Sequence, residues 1–188
     1  SPFALYYKQT RKWIERMKRE SNEIKKENDR AASFMRFCEV VRHLRAEDGC
    51  PWDRAQTHTS LKPYCIEEAA EVIGGINIWE VTGDAENLKE ELGDLMLQIL
   101  LHAQIAEEEG LFTIREVMDG ASEKMIRRHP HVFGKSMLSE QGEPVTDWDA
   151  IKKQEKAGKE WTEAYLPGAL EEAEKLLERA KERKGIKK

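Results

Sequence analysis

Acidic pairs set into stretches that otherwise carry no charge constrain this chain of 188 residues more than any other feature. Residues 66–71 read IEEAAE, with Glu67, Glu68 and Glu71, and run directly into VIGGINIW at 72–79. Residues 89–94 read KEELGD, with Glu90, Glu91 and Asp94, and run into LMLQILLHAQIA at 95–106. Glu68 and Glu71 are three apart, as are Glu91 and Asp94, so on helices each pair shares a face. Acids on a helix ordinarily mark a solvated face. Here no Lys or Arg accompanies the acids at 66–71, although surface helices usually mix signs because like charges at this spacing repel. The continuations are apolar nearly all round, as helices buried in a bundle are. The acidic face itself continues into Gly75 and Ile78, which is not how a solvent face continues.

Two such helices set face to face repel unless something offsets the charge. A hard divalent cation does so. Oxygen ligands without Cys or His favour Mg²⁺, Mn²⁺ or Ca²⁺ over Zn²⁺, and Mg²⁺ commonly bridges carboxylates to substrate phosphates. A di-iron carboxylate bundle is the competing metal reading, but it needs Glu-x-x-His on two helices, and the spacing here is Glu-x-x-Glu and Glu-x-x-Asp. His102 lies on the Asp94–Gln98 stripe and reads better as a hydrogen-bonded histidine, in the core or supporting a ligand, than as a ligand itself.

The rest of the chain predicts an all-α protein. It is 36% charged with 12 Gly and 6 Pro, so helix breakers are few, while 5 Trp and 5 Phe supply a core. No strand-like alternation of useful length occurs. Helices are expected over residues 33–48, 64–79, 84–109, 113–128, 148–159 and from 167 to a stop at Gly185, with a turn at GCPWD (49–53) and a loop over 130–146. Before Ser33, residues 18–30 are almost solid charge and read as an exposed helix or an arm, preceded by Tyr6, Trp13, Ile14 and Met17 at roughly helical spacing. The net charge of −5 argues against a nucleic-acid binder. Three cysteines without a CxxC pair argue against a disulfide framework, no stretch approaches a membrane span, and no signal peptide opens the sequence, so the cytoplasm is the expected compartment.

Several residues outside the acids carry two readings each. Lys124, Arg127 and Arg128 form one cationic edge, suited either to phosphate oxygens or to the dipole of a helix C-terminus. Trp148 is either a core anchor or a platform for a base, with Lys152 a turn further on. Tyr64, a turn before the acidic motif, could line a nucleotide pocket. Trp52 and Trp79 read as core or interface, and His129 and His131 as capping or loop residues rather than substrate contacts.

Together the segments LRAEDGCPWDRAQTHTSLKPYCIEEAAE (44–71), KEELGDLMLQILLHAQIAEEEGLF (89–112), KMIRRHPHVFG (124–134) and WDAIKKQEK (148–156) resemble the MazG-type nucleoside triphosphate pyrophosphohydrolases. EExxE followed by ExxD is moderately specific alone and very specific when joined in order to GCPWDxxQTH and RRHPHVFG. The resemblance runs from about residue 34 to 157. It implies an all-α helical bundle completed by dimerisation, with residues 33–160 as the catalytic domain, 1–32 as a charged helix or arm and 161–188 as an amphipathic helix. It further implies hydrolysis between the α- and β-phosphates, with Glu68, Glu71, Glu91 and Asp94 holding Mg²⁺ (or Mn²⁺) and Glu67 orienting or deprotonating water. Lys124 and Trp148 are placed near the nucleotide, with Tyr64, Arg127, Arg128 and Lys152 as further candidates to contact it. The sequence departs from two-repeat members in that the segment here resembles their first repeat and is followed only by what resembles the linker. Rival readings are a dUTPase-like or phosphoribosyl-ATP pyrophosphohydrolase-like enzyme, or a non-catalytic helical module that binds another protein through its dimer face.

Overall fold

The computed structural model describes residues 2–134, 137, 138, 142, 144, 145 and 147–186. The chain divides into two compact units, residues 1–54 and 55–188.

In the first unit α1 runs without interruption over Pro2–Arg45. The start expected at Ser33 is absent: no Gly or Pro lies between residues 3 and 45, so nothing interrupts the backbone ladder. Within the charged segment the described side chains (among them Arg19, Lys25, Lys26 and Arg30) are exposed. The side chains of Tyr6, Trp13, Ile14 and Met17 lie outside the described residues. After α1 the chain turns at Gly49, where a Cβ would lie 2.2 Å from the His43 carbonyl oxygen and 2.5 Å from that of Leu44. Only glycine permits so close a return. The turn lets Cys50 N donate to the Leu44 carbonyl at 2.8 Å and leads into α2 (Pro51–Arg54), which Arg45 ties back by donating to the Asp53 carbonyl at 2.6 Å.

The second unit is built on an antiparallel hairpin of α3 (Lys62–Thr82) and α4 (Glu86–Glu108). Pro63 sits in the first turn of α3, and Gly83 ends it at φ 77°. The two axes approach closely at Gly75, where a Cβ would come within 2.8 Å of Leu88 Cα. Leu100, Leu101, Ala103, Ile105 and Ala106 of α4 and Leu61 ahead of α3 are buried. α5 (Ile114–Arg128) starts on a capping box, in which Thr113 Oγ1 accepts from Glu116 N and the Glu116 carboxylate accepts from Thr113 N at 2.8 Å.

The stretch expected as loop from residue 130 opens with a helical turn, α6 (Pro130–Phe133), and includes a two-residue antiparallel ladder, β1 (Met137–Leu138) on β2 (Pro144–Val145). Residues 135, 136, 139–141, 143 and 146 of that loop lie outside the described residues. α7 (Trp148–Lys156) follows, capped by Asp147 and packed on α5, then a 3₁₀ turn (Glu160–Tyr165) and α8 (Leu166–Arg183). Apart from that ladder the described chain is helical, as the composition predicts. α8 lies along α3, with Ala180 buried and Ala173, Leu176 and Leu177 half-buried, while Leu170 faces solvent. Trp52 and Trp79 are 52% and 49% exposed, which removes the core reading for both. No helix among the described residues is long and apolar enough to cross a membrane.

Two adjacent glycines give a controlled test of the hairpin. Gly74 has open space around its would-be Cβ, whereas Gly75 does not. Gly75→Ala should cost about 1–3 kcal/mol by overpacking, and Gly74→Ala should gain about 1 kcal/mol in helix propensity. Urea denaturation of both variants checks this; equal effects would mean that the helices do not touch at Gly75.

Candidate metal and phosphate site

The hairpin brings the acids together. Glu68 on α3 and Glu91 and Asp94 on α4 each offer a carboxylate oxygen within 4.8 Å of the others. Glu68 and Glu91 are half-buried and Asp94 is exposed, so the cluster is a shallow cup open on one side. Burial first, and then the charges of Asp94 and Glu91, push the Glu68 carboxyl above the ordinary carboxylate range, with Lys184 pulling the other way. Asn87, one turn before Glu91, donates from Nδ2 to Glu91 Oε1 at 2.9 Å and so orients that carboxylate.

Glu67 and Glu71 flank the cup on α3. Glu67 is 7% exposed, and its Oε1 is buried without a hydrogen-bond partner among the described residues. Its Oε2 accepts from Arg183 Nη2, and Glu71 Oε1 pairs with Lys184 Nζ. Both cations come from the C-terminal end of α8; nearer the start of that helix, Lys62 donates to Glu172 at 3.0 Å. Tyr64 is half-buried and lies near enough to Arg183 to favour its charged form, after Glu67 as the main cause. Gln98, on the stripe of Asp94, is buried and its Oε1 also lacks a partner among the described residues. Donor chemistry and geometry therefore fit a hard cation: an all-oxygen set, like charges only partly relieved at Glu68, and an orphan carboxylate oxygen beside them.

A turn N-terminal to the cup lies a polar network without metal-ligand geometry. His58 Nδ1 and His102 Nδ1 are 2.7 Å apart in stacked rings, and His102 Nε2 lies 3.2 Å from Cys65 Sγ. Burial and then the His58 charge lower the basicity of His102. A neutral ring that donates at one nitrogen and accepts at the other satisfies both contacts. His102 is thus a half-buried, hydrogen-bonded histidine. Lys62, Cys65, Ile66 and His102 line one wall of a cavity of about 370 Å³ whose other wall is α8.

The basic candidates gather elsewhere. Arg127 and Arg128 on α5 both bridge Glu155 of α7, at 3.2 and 2.7 Å. Burial alone would raise the Glu155 carboxyl, but the hydrogen bonds and charges of Arg128 and Arg127 outweigh it and hold it below the ordinary range. Trp148 is a partly exposed platform, with the Arg128 guanidinium 5.3 Å over its ring and the His129 ring edge-on at 5.0 Å. Lys124 is exposed and Lys152 half-buried. Among the described residues no hydrogen bond or ion pair joins this group to the acidic cup. Of the four acids expected to hold a metal, Glu68, Glu91 and Asp94 meet, whereas Glu71 lies beside them paired with Lys184; the sequence reading missed the acids' partners. Asn87 had a local signal, an amide four residues before an acid; Arg183 and Lys184 had none, because basic residues at a helix end serve its dipole equally well.

Comparison with known proteins converges on one family. Residues 56–133 match the MazG nucleotide pyrophosphohydrolase domain. The chain is 50% identical over 126 residues to the nucleoside triphosphate pyrophosphohydrolase/pyrophosphatase MazG of Thermotoga maritima, covering 67% of this chain and 46% of that protein. It is 40% identical over 125 residues to the nucleoside triphosphate pyrophosphohydrolase of Escherichia coli, 66% of this chain and 46% of that one. It is 48% identical over 133 residues to the uncharacterized protein YabN of Bacillus subtilis, 71% of this chain and 26% of that one. The chain therefore spans half or less of the length of these relatives.

The raised Glu68 carboxyl has a consequence for stability. In the pH range between the ordinary carboxylate value and the raised one, the folded state binds more protons than the unfolded, so stability falls as pH rises through it. Glu68→Gln should therefore melt higher than the wild type at neutral pH in chelator, with the gap closing below about pH 4. Thermal denaturation across pH checks this, and a lower melting point for the variant at pH 7 would contradict it.

Proposed function

We propose, from the match of residues 56–133 to the MazG nucleotide pyrophosphohydrolase domain, that the chain hydrolyses nucleoside triphosphates between the α- and β-phosphates, using Mg²⁺ or Mn²⁺, to give a nucleoside monophosphate and pyrophosphate. The observation that carries this reading is the meeting of Glu68, Glu91 and Asp94 on the hairpin. With Glu71 they form the ligand set. A divalent cation held there supplies neutralisation of the polyphosphate and lowers the pKa of water. Asn87 occupies Glu91 Oε1 and leaves the other oxygen for the ion. Glu67, buried with an oxygen lacking a partner, is the group to orient the attacking water and accept its proton at Oε1. No glycine-rich phosphate loop is present, so phosphate recognition falls to side chains.

Lys124, Arg127, Arg128 and Lys152 are assigned to the phosphates, and Trp148 and Tyr64 to the nucleoside. The ion pairs through Glu155 fix the two guanidinium planes in advance, which suits bidentate phosphate binding.

Association into a dimer is part of the proposal. Ile73 on α3 (60% exposed) with Ile76, and Leu92 on α4 (50% exposed) with Met96 and Ile99, leave an apolar face uncovered in the single chain. Equilibrium sedimentation should return twice the chain mass, and Ile76→Asp should shift it toward monomer; a wild-type monomer at micromolar concentration would remove this part.

The reaction is tested with a panel of nucleoside triphosphates and Mg²⁺, scoring pyrophosphate against orthophosphate. Pyrophosphate is expected, with kcat falling about 100-fold or more in Glu68→Gln and Asp94→Asn. Orthophosphate would mean a different bond is cut, and no product from any nucleotide would leave the helical interface as the function.

A further inference from the structure

The contacts made by the end of α8 are not those of a helix serving only to cover α3. Arg183 and Lys184, its last residue and its C-cap, reach the two carboxylates that flank the candidate metal cup. The Glu67 side chain is 9% exposed, whereas Arg183 and Lys184 are 58% and 43% exposed. Glu67 is thus fixed within the fold and Arg183 extends to it from the solvent side, while Glu71, 35% exposed, meets Lys184 at the rim. The rest of α8 is anchored independently, by the Lys62–Glu172 bridge and by Ala173, Leu176 and Ala180 against α3. Letting go of the acids therefore does not require the helix to leave. Beyond Lys184, Gly185 adopts a positive φ of 68°, which ends the helix and puts the two pairs at its terminus.

We infer that Arg183 and Lys184 are built-in counter-cations of the acidic site that compete with the divalent ion, so that metal binding displaces the end of α8 from Glu71 and Glu67. This rests on the metal-site reading above. An ammonium on Glu71 opposes a divalent ion on the same carboxylate: it takes Oε1, and the two cations repel each other across the few ångströms between the two oxygens. Without metal, the two cations offset part of the repulsion among five neighbouring acids and keep the cup from being a bare negative surface. With metal, Glu71 is returned to the ligand set and Glu67 is released. The consequence is a higher metal threshold: the ion binds only above the concentration at which it outcompetes the resident cations.

The test is calorimetric titration of the full chain with Mn²⁺ alone, without nucleotide, at low ionic strength. Wild type is compared with Lys184→Gln, Arg183→Gln, Glu68→Gln and Lys181→Gln. Lys181 pairs with Glu178 on the surface of α8, so its removal changes the net charge equally without touching the acids named here. Lys184→Gln should bind Mn²⁺ about three- to fivefold more tightly than wild type, the effect of losing a half-exposed ion pair. Arg183→Gln should shift in the same direction, and Lys181→Gln should stay near wild type. Equal affinity in Lys184→Gln and Lys181→Gln, or weaker binding in Lys184→Gln, overturns the inference. Loss of binding in Glu68→Gln under those outcomes keeps the metal site itself standing. Absence of Mn²⁺ binding by wild type and all variants overturns both.

Discussion

Carboxylates pressed together at a helix–helix seam are unfavourable in any protein, and the arrangement of the second unit follows from that repulsion. Glu68, Glu91 and Asp94 meet because the apolar sides of α3 and α4 have no other way to be buried, so the hairpin imposes the contact and the acids must be satisfied around it. The solutions are distributed. An amide from Asn87 takes one oxygen, two cations arrive from α8, and Glu68 answers in part by holding its proton more tightly. A site that stores repulsion in this way is poised for a multivalent cation, because one ion relieves several contacts at once.

Separation of opposite charges is the second principle. The basic group on α5 and α7 is organised around Glu155 rather than around the acidic cup. Had Arg127 and Arg128 closed directly on Glu68 and Asp94, acid and base would have neutralised each other and neither would be available to a metal–polyphosphate pair. Glu155 gives the guanidiniums a fixed orientation without using the site acids, and the capping box at Thr113 fixes where α5 starts, hence the phase of its basic edge. The histidine network at His58, His102 and Cys65 is a third, chemically separate layer that satisfies polar groups where the seam would otherwise be apolar.

The helical architecture and the acidic cup were legible in the sequence because both are local: residues three apart on a helix share a face whatever surrounds them, and an apolar surround of that extent marks burial. Thr113, Gly83, Gly110 and Pro63 punctuate the helices where their chemistry says they should. The continuous α1 was not foreseen, because Ser33 has the chemistry of an N-cap and only the absence of a breaker argues against using it. Nor were the contacts of Arg183 and Lys184, whose partners lie more than a hundred residues away. Trp52 and Trp79 show the same limit from the other side: a large aromatic signals burial, but not whether its own chain provides it.

Gly75 has a mechanical meaning beyond packing. It is where the two rods of the hairpin touch backbone to backbone, and the acids lie further along from it, Glu68 seven residues or about 10 Å away. The hairpin is therefore a pair of tongs with its pivot at Gly75 and Leu88. A change of about 6° in the angle between the rods would open or close the gap at Glu68 by about 1 Å. That exceeds the difference in metal–oxygen distance between a small ion and a larger one, about 0.3–0.5 Å. A tight pivot keeps such changes small and reversible, so the spacing of the carboxylates is governed not only by their positions in the sequence but by how stiffly the two rods are held at Gly75.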